Sequence, residues 1–173
     1  MAVRTRGRWA VPGLLNIHGG PASQYGFNFF DEFQVYVGAG YAVLACNPRG
    51  SVGRGEAWLT AVKGDAWGEV DVFDVTAVVD DALATDSRLD GERLGIMGGS
   101  YGGFLSAWII ADNLRRRSAI VERTLLGWES FAGTSDIARD FSITTSVASP
   151  WMITRVCARR VRSVGPAPSS HQR

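Results

Sequence analysis

The sequence predicts an α/β chain, a mostly parallel sheet with helices on both faces. Three observations carry this expectation. Short apolar runs at 14–18, 41–46, 94–97 and from Ala119 onward alternate with longer stretches of helical spacing. The run Tyr41-Ala42-Val43-Leu44-Ala45-Cys46 is apolar throughout, as suits a strand covered on both faces. Glycine-rich segments follow three of these runs, at 18–21, 47–55 and 98–103.

Taken in order, Leu14-Leu15-Asn16-Ile17-His18 reads as the first buried strand, and Gly19-Gly20-Pro21 turns the chain after it. A helix is expected within 23–37, where Phe29, Phe33 and Tyr36 recur at helical spacing, ending at Gly38-Ala39-Gly40. The strand at 41–46 leads into the loop Asn47–Gly55. Arg49 in that loop can grip an acid in a fixed two-pronged geometry, as structural brace or substrate contact. Trp58 and Trp67 are apolar anchors, and Asp65 suits a turn or helix start. Residues 69–84 read as a long helix with Val72, Val75, Val79 and Ala82 on its apolar line. Asp71, Asp74, Asp80 and Asp81 are then expected as surface, cap or loop-bracing groups. Asp86–Gly91 is a turn region feeding the strand 94–97, followed by a helix to about Asp112 and a strand from Ala119. Beyond residue 124 the pattern loosens around Trp128, Phe131, Phe141 and Trp151.

The chain has 173 residues, 46% of them hydrophobic and 20% charged, with a formal net charge of +1. This is a globular composition long enough for one real core, and it disfavours a disordered or nucleic-acid-coating chain. Cys46 and Cys157 follow no metal-ligand spacing, and Cys46, in an apolar run, reads as a buried thiol. No stretch reaches membrane-spanning length and the first residues lack a signal-peptide pattern. The expected setting is cytoplasmic, with no nucleic-acid or membrane partner. The arginine-rich, acid-free residues 141–173 are expected to form a divergent, poorly ordered tail to a domain at 9–140.

The chemistry concentrates in Gly98-Gly99-Ser100-Tyr101-Gly102, a G-x-S-x-G pattern between a strand and a helix. Such an elbow exposes a serine hydroxyl beside the free N–H groups of a helix start. A phosphate loop is the competing reading, but no Gly-Lys-Ser/Thr follows the glycines. His18 beside its strand reads as a packed or hydrogen-bonded core residue. The functional alternative is that it braces the 18–21 loop while a backbone N–H near Gly20 faces the reaction centre, as one half of an oxyanion hole.

Ordered segments then extend the match: LNIHGGP at 15–21, GYAVLACNPRGS at 40–51, GDAWGEVDVFDV at 64–75, RLGIMGGSYGGF at 93–104 and SFAGTSDI at 130–137. Through them the chain resembles the catalytic domain of the prolyl oligopeptidase family, nearest its acylaminoacyl-peptidase and dipeptidyl-peptidase-like members. The resemblance implies a partial α/β-hydrolase fold. It also implies serine-type cleavage of short peptides or acyl-peptides without metal or organic cofactor. Ser100 would be the acyl-forming nucleophile and the backbone N–H groups of Tyr101 and Gly20 the oxyanion donors. His18, Gly19 and Arg49 would support the loops. Arg54 departs from the family pattern, where tyrosine is expected.

The mechanism also needs an acid and a histidine after the serine, in that order. Asp112 follows the elbow too soon. Asp136 and Asp140 precede the strands that ought to carry the acid, and His171 is the only downstream histidine. The resemblance therefore implies a truncated domain whose isolated chain is inactive. An esterase- or lipase-like hydrolase and a noncatalytic interaction fragment are the alternatives. A clipped sheet would expose an edge open to self-association.

Overall fold

The computed structural model describes residues 2–3, 10–112 and 116–138. Five strands form one sheet: β1 (Ala2–Val3), β2 (Val11–Ile17), β3 (Ala42–Leu44), β4 (Leu89–Gly99) and β5 (Ser118–Glu122). Their order is β1-β3-β2-β4-β5, and all neighbours are parallel except the β1–β3 pair. The mostly parallel α/β sheet expected from the sequence is therefore present. The chain divides at Leu126/Gly127, and α5 (Trp128–Thr134) belongs to the second unit.

Long helices connect the parallel strands of the first unit. They are α1 (Asp31–Gly38), α3 (Val70–Thr85) and α4 (Tyr101–Asp112), with the short α2 (Glu56–Thr60) between β3 and α3. The chain steps from β2 to β3 on one side, then returns across β2 to β4 and on to β5. With that order, the right-handed sense usual for such crossovers puts α1 on one face and α3 with α4 on the other. Phe33 of α1 packs with Val43 and Ala45 on the first face, joined by Tyr25, Phe30 and Tyr36. On the second, Trp67, Tyr101, Phe104 and Trp108 form a chain of aromatic contacts.

α4 shows why its sequence lacks a polar stripe. Eight of its residues, from Tyr101 to Ile109, are buried. A helix apolar on all sides is a core helix. It also lies unusually close to the sheet. A Cβ added to Gly102 would meet the Ile17 carbonyl oxygen at 2.0 Å, and one on Gly103 would meet that of Glu122 at 2.6 Å. Only glycine permits this approach.

Several element boundaries differ from the sequence expectation. Residues 23–30 form a loop, and helix α1 begins only at Asp31; Phe27 and Phe29 are exposed and Phe33 is the buried member. β4 starts at Leu89, inside the expected turn region, because Leu89 and Asp90 pair with Val11 and Pro12 before the register shifts. Of the surface, cap and loop-bracing places expected for Asp71, the surface is excluded: it is fully buried in the first turn of α3 and accepts the Val72 N–H at 2.8 Å. It stands four and eight residues before Val75 and Val79, so the same helical face carries all three inward. Cys46 is a free, partly buried thiol whose pKa burial pushes up to about 11. Cys157, Asp140, His171, Phe141, Trp151 and the expected tail at 141–173 lie outside the described residues, as do the side chains of Asp65 and Trp128. No described helix is long and apolar enough to cross a membrane.

Gly102→Ala is expected to destabilise the first unit by about 3 kcal/mol, because the obstructing atoms are backbone and cannot rotate away. Urea unfolding followed by tryptophan fluorescence measures this. A loss under about 0.5 kcal/mol would contradict the close approach.

Candidate active site

Parallel pairing aligns the carboxyl ends of β2, β3, β4 and β5 along one rim, with Ile17 opposite Gly98 and Gly98 opposite Val121. The loops that follow each strand therefore gather there. Because the chain leaves β2 toward β3 and later returns to β4, the crevice between β2 and β4 is a topological switch point, where open α/β sheets bind ligands.

Ser100 occupies that crevice. Its backbone is left-handed, with φ 59°. Such a conformation is disfavoured for a residue with a Cβ and is held here from both sides. The Ser100 N–H donates to the Glu122 carbonyl at 3.1 Å, and its own carbonyl accepts from the Phe104 N–H at 2.9 Å. Gly98 completes the turn, since a Cβ there would meet the Gly102 backbone at 2.5 Å. Tyr101 is the first residue of α4, so its N–H has no partner within the helix.

The 18–21 loop comes beside the serine. A Cβ on Gly19 would stand 3.4 Å from the Gly99 carbonyl and 3.7 Å from Ser100 Cβ. Gly20 has φ 129°, a glycine conformation, and precedes a cis peptide to Pro21. His18, Gly19 and Ser100 all line a cleft of about 290 Å³, with Tyr25, Glu32, Glu122 and Arg123.

His18 is fully engaged in holding this loop. Its Nδ1–H donates to the Gly19 carbonyl at 2.6 Å, which leaves Nε2 to accept from the Ser51 hydroxyl at 3.0 Å. The ring is buried and packs edge-on against Tyr25. Burial favours the neutral imidazole and holds its pKa below 6.5, against the smaller opposing effect of the Gly19 carbonyl. Further ties bind the 18–25 and 47–53 loops together. The Tyr25 N–H and carbonyl bond the Asn47 side chain at 2.8 and 2.9 Å, and the Val52 N–H donates to the Ser23 carbonyl at 3.1 Å.

Arg49 is a brace in this structure. It donates to Asp74 through Nε at 2.9 Å and Nη2 at 2.7 Å, and Nη2 also reaches the Val70 carbonyl at 3.1 Å. The Asp74 carboxylate takes the Arg49 backbone N–H as well, at 2.8 Å. The hydrogen bond to Asp74 raises the guanidinium pKa. Arg54, by contrast, points outward over the Trp58 ring at 5.1 Å. It lines a separate cavity of about 510 Å³ with Cys46 and Trp58, and Ser100 is not part of that wall.

Asp71 is the site residue that sequence reasoning missed. The Tyr101 hydroxyl donates to its carboxylate at 2.5 Å, across 30 positions of sequence, and both residues are fully buried. Burial raises the carboxyl pKa, opposed by the hydrogen bonds from Tyr101 and from backbone N–H groups. The tyrosine pKa is raised by burial first and then by the facing carboxyl. The signal was present in the spacing of Asp71 with Val75 and Val79, which marks an acid on an inward face. Glu122 and Arg123 escaped as well, because nothing in their local sequence says that β5 ends beside the elbow.

Asp136 is exposed in the second unit, and Asp112 is exposed at the end of α4. His18 is the only histidine among the described residues. Those residues thus bring Ser100 and a histidine into one cleft without an acid partner for that histidine.

A sequence profile of the prolyl oligopeptidase family matches residues 27–152. The chain belongs to this family. It is 46% identical over 136 residues to the uncharacterized peptidase YuxL of Bacillus subtilis, covering 79% of this chain and 20% of that protein. It is 35% identical to the mouse acylamino-acid-releasing enzyme, covering 73% of this chain and 17% of the enzyme. Acylaminoacyl peptidase of Pyrococcus horikoshii superposes with a TM-score of 0.80 at 29% identity, over 87% of this chain and 24% of that one. The chain spans about a fifth of the length of the curated relatives it matches. The fold is accordingly part of an α/β-hydrolase domain, and hydrolase, serine-protease and proteolysis describe the family.

Two outcomes follow from these contacts. Tyr101→Phe removes one bond from a buried carboxyl and should lower unfolding free energy by about 2 kcal/mol, measured by urea titration; no change would mean the bond does not hold the elbow. His18 binds a proton less readily when folded, so the unfolded chain holds more protons below pH 6.5. The stability it contributes is complete above 6.5 and is lost as pH falls toward its lower folded value. Compared with His18→Asn, the wild-type advantage should be constant near about pH 7.5 and smaller near about pH 5.5. Growth of that advantage in acid would contradict the neutral, buried ring.

Proposed function

We propose that this chain is the nucleophile-bearing part of a serine-type peptidase domain that acts on short peptides or acyl-peptides. The observation that carries the reading is Ser100 in a left-handed elbow at the carboxyl end of β4, inside the cleft shared with the 18–21 loop. Ser100 Oγ is the attacking atom. The N–H groups of Tyr101 and Gly20 stabilise the tetrahedral oxyanion, and water then releases the acyl group. His18, Gly19 and Arg49 support the loops and do not act on substrate. The substrate class rests on the relatives named above, the mouse acylamino-acid-releasing enzyme and the acylaminoacyl peptidase of Pyrococcus horikoshii.

His18 is a poor general base for this serine. Its Nδ1 is committed to Gly19 and its Nε2 to Ser51, and no described carboxylate orients it. With no other candidate base among the described residues, Ser100 there is a weakly nucleophilic alcohol. We therefore expect the isolated chain to turn over peptides slowly or not at all.

Incubation with a fluorophosphonate probe, beside Ser100→Ala, tests both parts. Slow labelling that the alanine abolishes, with no peptide or ester turnover, is the expected result. Rapid serine-dependent labelling with peptide turnover would refute the inactivity of the isolated chain. Ester turnover without peptide turnover would favour an esterase, and labelling that survives Ser100→Ala would remove Ser100 from its role.

A further inference from the structure

Two non-glycine residues among those described have left-handed backbones, Ser100 and Arg123, with φ of 59° and 37°. They are neighbours in space. The Ser100 N–H is bonded to the carbonyl of Glu122, the residue before Arg123. A Cβ on Gly99 would lie 3.0–3.2 Å from three guanidinium atoms of Arg123. The arginine side chain therefore folds back over the peptide that precedes the nucleophile. A glycine or asparagine would take this backbone conformation more readily. Backbone strain held by a non-glycine residue beside a reaction centre is a pointer to function.

The charge state of the cleft says what that function is. Arg123 is the one arginine or lysine among the described residues lining it. Its side chain is 76% exposed, and its ion-pair partner Glu122 stands at 3.6 Å and is 50% exposed. A pair so open to water is weak and easily exchanged. The other acid of the cleft, Glu32, accepts the Tyr36 hydroxyl at 2.8 Å. Arg49 makes the contrast plain, with its fork committed to Asp74.

We propose that Arg123 is a specificity-determining residue whose guanidinium takes a carboxylate of the bound peptide, displacing Glu122. The proposal rests on the reading of the Ser100 cleft as a peptide site. Because the guanidinium covers the 99–100 peptide, the carboxylate it binds belongs within one or two residues of the scissile bond. That group is either the free C-terminus of a short peptide or an acidic side chain, and the planar fork suits both.

Binding of fluorescently tagged tripeptides to the full chain tests this. Three probes are used: one with a free C-terminal carboxylate, its C-terminal amide, and an amide carrying aspartate at its last position. The wild type should bind at least one carboxylate probe about tenfold more tightly than the plain amide, an advantage that added salt reduces. Arg123→Gln should bring the probes within about twofold of each other, and Arg123→Lys should keep part of the difference. Arg123→Gly should lose the preference equally while melting no lower than wild type, which separates recognition from folding. The free-carboxylate and aspartate probes identify which source the site accepts. Equal binding of acid and amide by the wild type, or a preference that survives Arg123→Gln, overturns the role of Arg123 and leaves the peptide site standing. If no probe binds and the fluorophosphonate leaves Ser100 unlabelled, the peptide-site reading falls and the proposal with it.

Discussion

The end of β2 and the first turn of α4 touch backbone to backbone. The Ile17 carbonyl occupies the space where a side chain of residue 102 would begin, and a side chain on Gly98 would strike both the Gly102 peptide and that same carbonyl. Such contact leaves no freedom in the path of residues 98–102. The serine between them must turn through a left-handed conformation, and the helix must start at Tyr101. The position of the hydroxyl is thus set by backbone atoms, the least adjustable part of the chain. Every glycine of the Gly98-Gly99-Ser100-Tyr101-Gly102-Gly103 segment has a close neighbour that a side chain would strike or crowd.

Around this contact the molecule places polar groups in nested supports. Tyr101 anchors the helix start through Asp71 on α3, and Asp74 one turn further along α3 holds Arg49. Arg49 fixes the 47–53 loop, whose Ser51 in turn engages His18. One helix therefore reaches both the elbow and the loop opposite it through two carboxyls. These are buried or half-buried groups with partners of suitable sign and geometry, so their desolvation is offset by hydrogen bonds. The same logic assigns His18 to structure: a neutral ring with both nitrogens occupied is a strut, whatever its proximity to a serine.

Much of this was legible beforehand. The alternation of apolar runs predicted the sheet, and Gly98–Gly103 predicted the turn, because a nucleophile elbow imposes a local composition that few other structures need. The two-pronged use of Arg49 followed from the chemistry of guanidinium, although its partner did not. Asp71 was not singled out among surface, cap and loop-bracing acids because its helix carries four acids and only one faces wholly inward; helical phase relative to Val75 and Val79 separates it from Asp80 and Asp81, whereas composition cannot. The late start of α1 was missed because aromatic residues at 27–30 mimic helical spacing while serving the loop.

By itself, then, the sequence determined the α/β class, the elbow at Ser100 and the paired glycine loops at 18–21 and 47–55, since each depends on interactions among residues close along the chain. The partnership of Asp71 with Tyr101, of His18 with Ser51 and of Arg123 with Gly99 was decided by the tertiary structure alone. Each joins segments separated by more than twenty residues. They meet only because the strand order β3-β2-β4-β5 brings their carboxyl ends to one rim. Local periodicity carries no record of that order, which arises from how the apolar faces of the finished elements pack.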